Sequence, residues 1–139
     1  MQTLSAAARA HFEHPHHVGT LALDAAAVAT ARVGEPVSGA ILQLQLQIDG
    51  CGTLTAARFQ AYGCGWTVAC GSWLAAWLSQ RTVAEAAAFR HHLLVEALAV
   101  PPEKLHCAVL AETALKAALR AYATKPTPPV ALQSQQPSP

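Results

Sequence analysis

The segment Ile41–Ile48, ILQLQLQI, constrains this chain more than any other. Successive side chains of a strand point to opposite faces, so Leu42, Leu44, Leu46 and Ile48 share one side and Gln43, Gln45 and Gln47 the other. That is the period of a half-buried strand. Asp49-Gly50-Cys51-Gly52 then supplies residues that tolerate positive φ, and Leu54–Tyr62 reads as a return strand, which predicts a β-hairpin. Residues 28–33 alternate as an earlier strand and lead into the loop at 34–39.

After Tyr62 the period turns helical. Trp66, Cys70, Trp73 and Trp77 recur at i, i+4, i+7 and i+11, with Leu74 and Leu78 beside them. Thr82 followed by Glu85 fits a capping box that opens a second helix, and residues 92–98 read as a short third one. Beyond Pro101-Pro102, residues 107–122 form an amphipathic helix with Ala108, Ala111, Leu115, Ala118, Leu119 and Tyr122 on its apolar face. Glu112, Lys116 and Arg120 line the other side, with Glu N-terminal to Lys as i,i+4 pairing prefers. A short helix over 3–14, stopped by Pro15 and Gly19, precedes everything else. Strands first and helices afterwards predict an α+β fold, a three-stranded antiparallel sheet with helices packed on one face. Residues 1–124 read as one domain. Residues 125–139 carry five of the nine prolines and read as a disordered tail.

Composition narrows the function. Charged residues are 12% of the chain and the net charge is +1, so there is no basic stripe for a phosphate backbone and nucleic acid is not expected as a partner. Apolar runs break well before the ~18 residues of a membrane span, so no membrane partner is expected. The first ten residues lack the basic cluster and apolar run of a secretory signal, which predicts a cytoplasmic protein. In that reducing compartment Cys51, Cys64, Cys70 and Cys107 read as thiols or metal ligands rather than disulfides.

Candidate chemistry falls in three segments: the Ser38 loop, Tyr62-Gly63-Cys64-Gly65 at a strand end, and His106-Cys107 at a helix start. Cys64 and Cys107 both lie near a helix N-terminus, where clustered N–H groups are expected to favour thiolate. By residue type and clustering Cys64, His106 and Cys107 read as candidate metal ligands, the alternative being a buried cysteine pair and a satisfied histidine. Cys70, six residues after Cys64, is a further candidate, the alternative being a small buried residue in the tryptophan stripe. Cys51, between two glycines, reads as a remote exposed thiol. His11, His14, His16 and His17 are dense but interrupted by Pro15. Trp66, Trp73 and Trp77 read as core, or, if left uncovered, as a face for a homo-oligomer. A thiol enzyme with Cys107 as nucleophile and His106 as base is disfavoured, because adjacent residues at a helix start point in different directions.

Five segments carry a specific resemblance: HFEHPHHVG (11–19), VGEPVSG (33–39), ARFQAYGCG (57–65), PPEKLHC (101–107) and LAETALKAALRAY (110–122). In this order, over about residues 10–124, the chain resembles the IscU/NifU N-terminal family of iron-sulfur cluster scaffolds. The family's motif is Cys-Gly-Asp, then Tyr-Gly-Cys, then His-Cys. Cys64, His106 and Cys107 match its second and third elements. The first reads Ser38-Gly39-Ala40 and lacks both a thiolate and a carboxylate. A long insertion before the last cysteine, found in the zinc-dependent branch, is absent, which points to the IscU-like branch.

The resemblance implies a non-enzymatic scaffold or carrier that binds iron or a 2Fe-2S cluster through Cys64, His106 and Cys107, with Cys70 or Ser38 as fourth ligand. It implies Cys107 as the acceptor of sulfur from a cysteine desulfurase. The changes at Ser38 and Ala40 leave zinc as the alternative cargo, in a degenerate paralogue that holds zinc or docks partners without assembling clusters. The segment VPPEK (100–104) resembles the one by which the family's scaffolds engage an Hsp70-type chaperone. Val100 and Glu103 depart from it, and a charge weakens docking in an apolar groove.

Overall fold

The leucines of β2 organise the molecule. In the computed structural model, which describes residues 4–14, 18–19 and 28–124, β1 (Val28–Gly34), β2 (Ile41–Ile48) and β3 (Leu54–Tyr62) form an antiparallel sheet in the order β1-β2-β3. Leu44 pairs across to Ala31 on one side and Phe59 on the other, and Leu46 to Ala29 and Ala57. The bulk thus sits on the central strand, and the alanines beside it leave room for helices. α5 (Leu105–Thr124) settles over β1 and β2, and α2 (Gly65–Leu78) over β3. A Cβ on Gly71 would lie 2.7 Å from the Phe59 ring and 3.2 Å from Leu42 Cδ1, so α2 rests its bare backbone on the sheet.

The hairpin closes as an Asx turn: Asp49 Oδ1 accepts from the N–H of Cys51 at 2.8 Å and of Thr53 at 3.0 Å. Cys51 is exposed there. One glutamine departs from the alternation. Gln45 is buried, its amide donating to Thr30 Oγ1 at 3.0 Å, because the middle strand has neighbours on both sides.

The remaining helices brace the sheet-facing pair. α1 (Ala6–Glu13), capped by Ser5, lies against α2: His11 Nδ1 is 2.7 Å from Ser72 Oγ, and Leu4 and Phe12 cover Gly65. α3 (Val83–Ala87) opens on the capping box expected from Thr82 and Glu85. α4 (His91–Leu98) is tied to α5 by Glu112 Oε1, which accepts from the His91 N–H at 2.7 Å and lies 2.8 Å from its Nδ1. α5 starts at Leu105, after a 3₁₀ turn at Pro102–Lys104, two residues earlier than the periodicity predicts. The expectations for His16, His17 and the tail at 125–139 lie outside the described residues.

The tryptophans do not form one open face. Trp66 is buried, and Trp73 and Trp77 are half-buried, stacked on each other at 6.3 Å with Phe89 against both rings. The Arg81 guanidinium lies 4.0 Å over the Trp77 ring and shields part of it. Trp66 thus belongs to the core, while Trp73 and Trp77 keep part of their rings exposed.

Candidate thiol site

The end of β3 and the starts of α2 and α5 converge. Gly63 carries φ +154° and leads to Cys64, the N-cap of α2. A Cβ on Gly63 would stand 2.9 Å from Thr67 Oγ1 and 3.1 Å from Ala40 Cβ, so glycine lets the corner close. Cys107, third residue of α5, comes in from the other side, and its sulfur lies 3.9 Å from that of Cys64. The Thr67 hydroxyl touches both sulfurs, at 3.8 Å from Cys64 and 3.5 Å from Cys107. Lys104 Nζ lies 3.6 Å from the Cys64 sulfur.

The two thiols differ electrostatically. Cys64 is exposed. Partial burial pushes its thiol up, but the Thr67 N–H and hydroxyl and the Trp66 N–H outweigh that, and it stays below the ordinary thiol range. Cys107 is buried, and desolvation dominates: its thiol is pushed up to about 11, with the Cys64 charge adding to the rise and Thr67 and Lys104 opposing it. The expectation that both thiols favour thiolate is thus corrected for Cys107. Its sulfur sits inside the first turn, away from water, where dipole and N–H groups do not compensate for lost hydration.

The other candidates do not join the pair. Cys70 is fully buried, and its thiol is pushed far up, first by burial and then by the charges of Cys107 and Cys64. The Ser38 hydroxyl accepts from the Ala40 N–H at 3.2 Å within its own loop. Its N–H donates to Glu35 Oε1 at 2.8 Å, while the Val37 N–H donates to Oε2 at 3.2 Å. These bonds hold the Glu35 carboxyl below its usual range, Ser38 contributing most and His106 least. His106, one residue from Cys107, turns to a different side, as adjacent helical positions must. It lines a groove of about 410 Å³ with Glu35, Pro36, Leu105 and Val109. Among the described residues no three His, Cys, Asp or Glu side chains are grouped to hold a metal ion. The geometry is a pair of sulfurs with a hydroxyl, and neither His106 nor Cys70 completes a third corner.

Two residues of this region escape sequence reasoning. Thr67 had one usable signal, its place three residues after Cys64, where a first-turn side chain can reach back to the N-cap. Glu35 had none, since only the folding of its loop points it toward His106.

The profile of the NifU-like N terminal domain family matches residues 5–128. The chain belongs to this family. Curated relatives agree. It is 41% identical over 115 residues to the iron-sulfur cluster assembly scaffold protein IscU of Azotobacter vinelandii, covering 83% of this chain and 90% of that protein. It is 37% identical over 115 residues to the iron-sulfur cluster assembly enzyme IscU of Drosophila melanogaster, covering 83% and 75%. The N-terminal NifU-like protein of Brucella abortus shares the fold, with TM-score 0.68 at 18% identity, covering 88% of this chain and 95% of that one. This chain carries Cys64 at the strand end and Cys107 in the last helix. In the first loop it carries Ser38 and Ala40. No described helix is long and apolar enough to cross a membrane.

Proposed function

We propose that this protein is an iron-sulfur cluster assembly scaffold whose cargo, iron with sulfide or a 2Fe-2S cluster, is held by Cys64 and Cys107. The observation that carries the reading is their 3.9 Å sulfur separation. Two sulfurs bound at ~2.3 Å to one tetrahedral metal stand roughly 3.8 Å apart, so the pair needs little movement to grip iron. His106, which now lines the neighbouring groove, is the exchangeable third ligand of this reading. The fourth position is open to solvent or to a partner. The names of the relatives favour cluster assembly over a zinc-holding paralogue.

Sulfur arrives on Cys64 rather than on the Cys107 that the family resemblance implies. The Cys64 thiolate attacks the terminal sulfur of a persulfide on a cysteine desulfurase; the donor's S–S bond breaks as the new one forms, and the donor leaves as thiolate. Cys64 suits this because it is exposed, below the ordinary thiol range and 3.6 Å from the Lys104 ammonium. Cys107, behind it, completes the grip on the cargo. Anaerobic reconstitution with iron and sulfide, read by visible absorption, tests the proposal. Wild type develops cluster bands, and Cys64→Ser and Cys107→Ser each lose them; a wild type that takes up zinc but no acid-labile sulfide overturns it.

A further inference from the structure

The Thr67 hydroxyl is buried, and its hydrogen-bond partners are the sulfurs of Cys64 and Cys107. Thiols are weak partners, so this group is poorly compensated for leaving water. A methyl of the same size would serve the packing at least as well. Its position is nevertheless tightly determined. The Thr67 N–H donates to the Cys64 carbonyl at 3.0 Å, and Gly63, where a Cβ would stand 2.9 Å from the hydroxyl, leaves it clear. The two sulfurs and the oxygen make a triangle with edges of 3.9, 3.8 and 3.5 Å that joins the starts of α2 and α5.

We propose that Thr67 is the positioning residue of the thiol pair: its hydroxyl holds the Cys64 and Cys107 sulfurs in the converged arrangement that grips a thiophilic centre. It donates to one sulfur and accepts from the other while the pair is empty. With a centre bound and both sulfurs deprotonated, it remains as a donor to a ligand sulfur, the kind of outer contact that steadies metal sites. The inference rests on reading Cys64 and Cys107 as the gripping sulfurs, and it concerns the empty pair, so it can be tested without building a cluster.

Phenylarsine oxide is the probe, because its arsenic(III) captures two thiols only when they converge. Two As–S bonds form, the As–O bond is lost, both thiol protons leave with the oxygen as water, and nothing is oxidised. The metal-free full-length chain is titrated and the adduct mapped by peptide mass to Cys64 and Cys107. Thr67→Val is expected to keep its circular dichroism and melting temperature yet capture arsenic about 10-fold more weakly, with Thr67→Ser within about 3-fold of wild type. Wild-type affinity in Thr67→Val overturns the proposal. So does a Thr67→Val chain that melts earlier, since the hydroxyl then serves the fold. Reconstitution on the same wild-type preparation separates the two readings: arsenic captured with this Thr67 dependence but no cluster built removes the scaffold function and supports the role of Thr67.

Discussion

At the start of α2, Cys64 stands just outside the first helical turn; at the start of α5, Cys107 is the third residue inside it. Their sulfurs nearly touch, and both helices point their positive ends at the site, yet one thiol falls below its ordinary range and the other rises to about 11. The difference teaches that a helix start does not by itself make a thiolate. The Thr67 and Trp66 N–H groups near the N-cap sulfur favour the Cys64 thiolate, which also keeps contact with water. The Cys107 sulfur has neither advantage, and desolvation outweighs the dipole's usual few tenths to 1 kcal/mol.

The sharpest way to break this comparison is to alkylate both thiols with iodoacetamide across pH. Each rate rises with pH as thiolate forms, so the Cys64 profile levels off below the ordinary thiol range and the Cys107 profile only near 11. At about pH 8 thiolate fraction favours Cys64, and the greater nucleophilicity of the more basic Cys107 thiolate returns only part of that. A contrast in favour of Cys64 remains, and burial of Cys107 widens it. Equal rates would erase the distinction.

A smaller effect comes from the glycine that lets the corner close. Gly63→Ala puts a Cβ against Thr67 Oγ1 and Ala40 at a φ of +154°, so chemical denaturation should show a loss of roughly 1–2 kcal/mol. The same change displaces the hydroxyl between the sulfurs and narrows the alkylation contrast. The smallest effect belongs to Lys104. Its ammonium is 3.6 Å from the Cys64 sulfur but largely in water, so Lys104→Gln should slow Cys64 alkylation by no more than about 3-fold, and the difference should fade at 1 M salt. A larger, salt-resistant loss would mean the lysine shapes the corner rather than charging it.

Much of the fold is legible in the sequence because local chemistry and tertiary demand coincide there. ILQLQLQI carries its register with it, Thr82 and Glu85 cap a helix as their spacing requires, and the strand and helix order leaves little choice of class. The exceptions are set by neighbours. Gln45 is polar by pattern but buried by its place in the middle strand, and Trp73 and Trp77 are partly covered, both by Phe89 and Trp77 also by Arg81. In the site, Cys64 and Cys107 are legible by position, whereas the rise at Cys107 follows from α5 starting two residues early. The direction of His106 follows from the same start. Thr67 reads as an ordinary helical residue until the last helix arrives beside it.

One feature of the site reaches beyond its chemistry. The two sulfurs are separated by 43 residues of chain, so any centre gripped by both becomes a crosslink across about a third of the molecule. A covalent tie of that span removes roughly 4 kcal/mol of freedom from the unfolded chain, and a ligand that binds only the native pair raises stability with its own concentration. Occupancy and rigidity are therefore one variable. Loading should slow amide hydrogen exchange at the starts of α2 and α5, and unloading should give that slack back, so a receiving protein that takes the cargo also leaves behind a looser molecule.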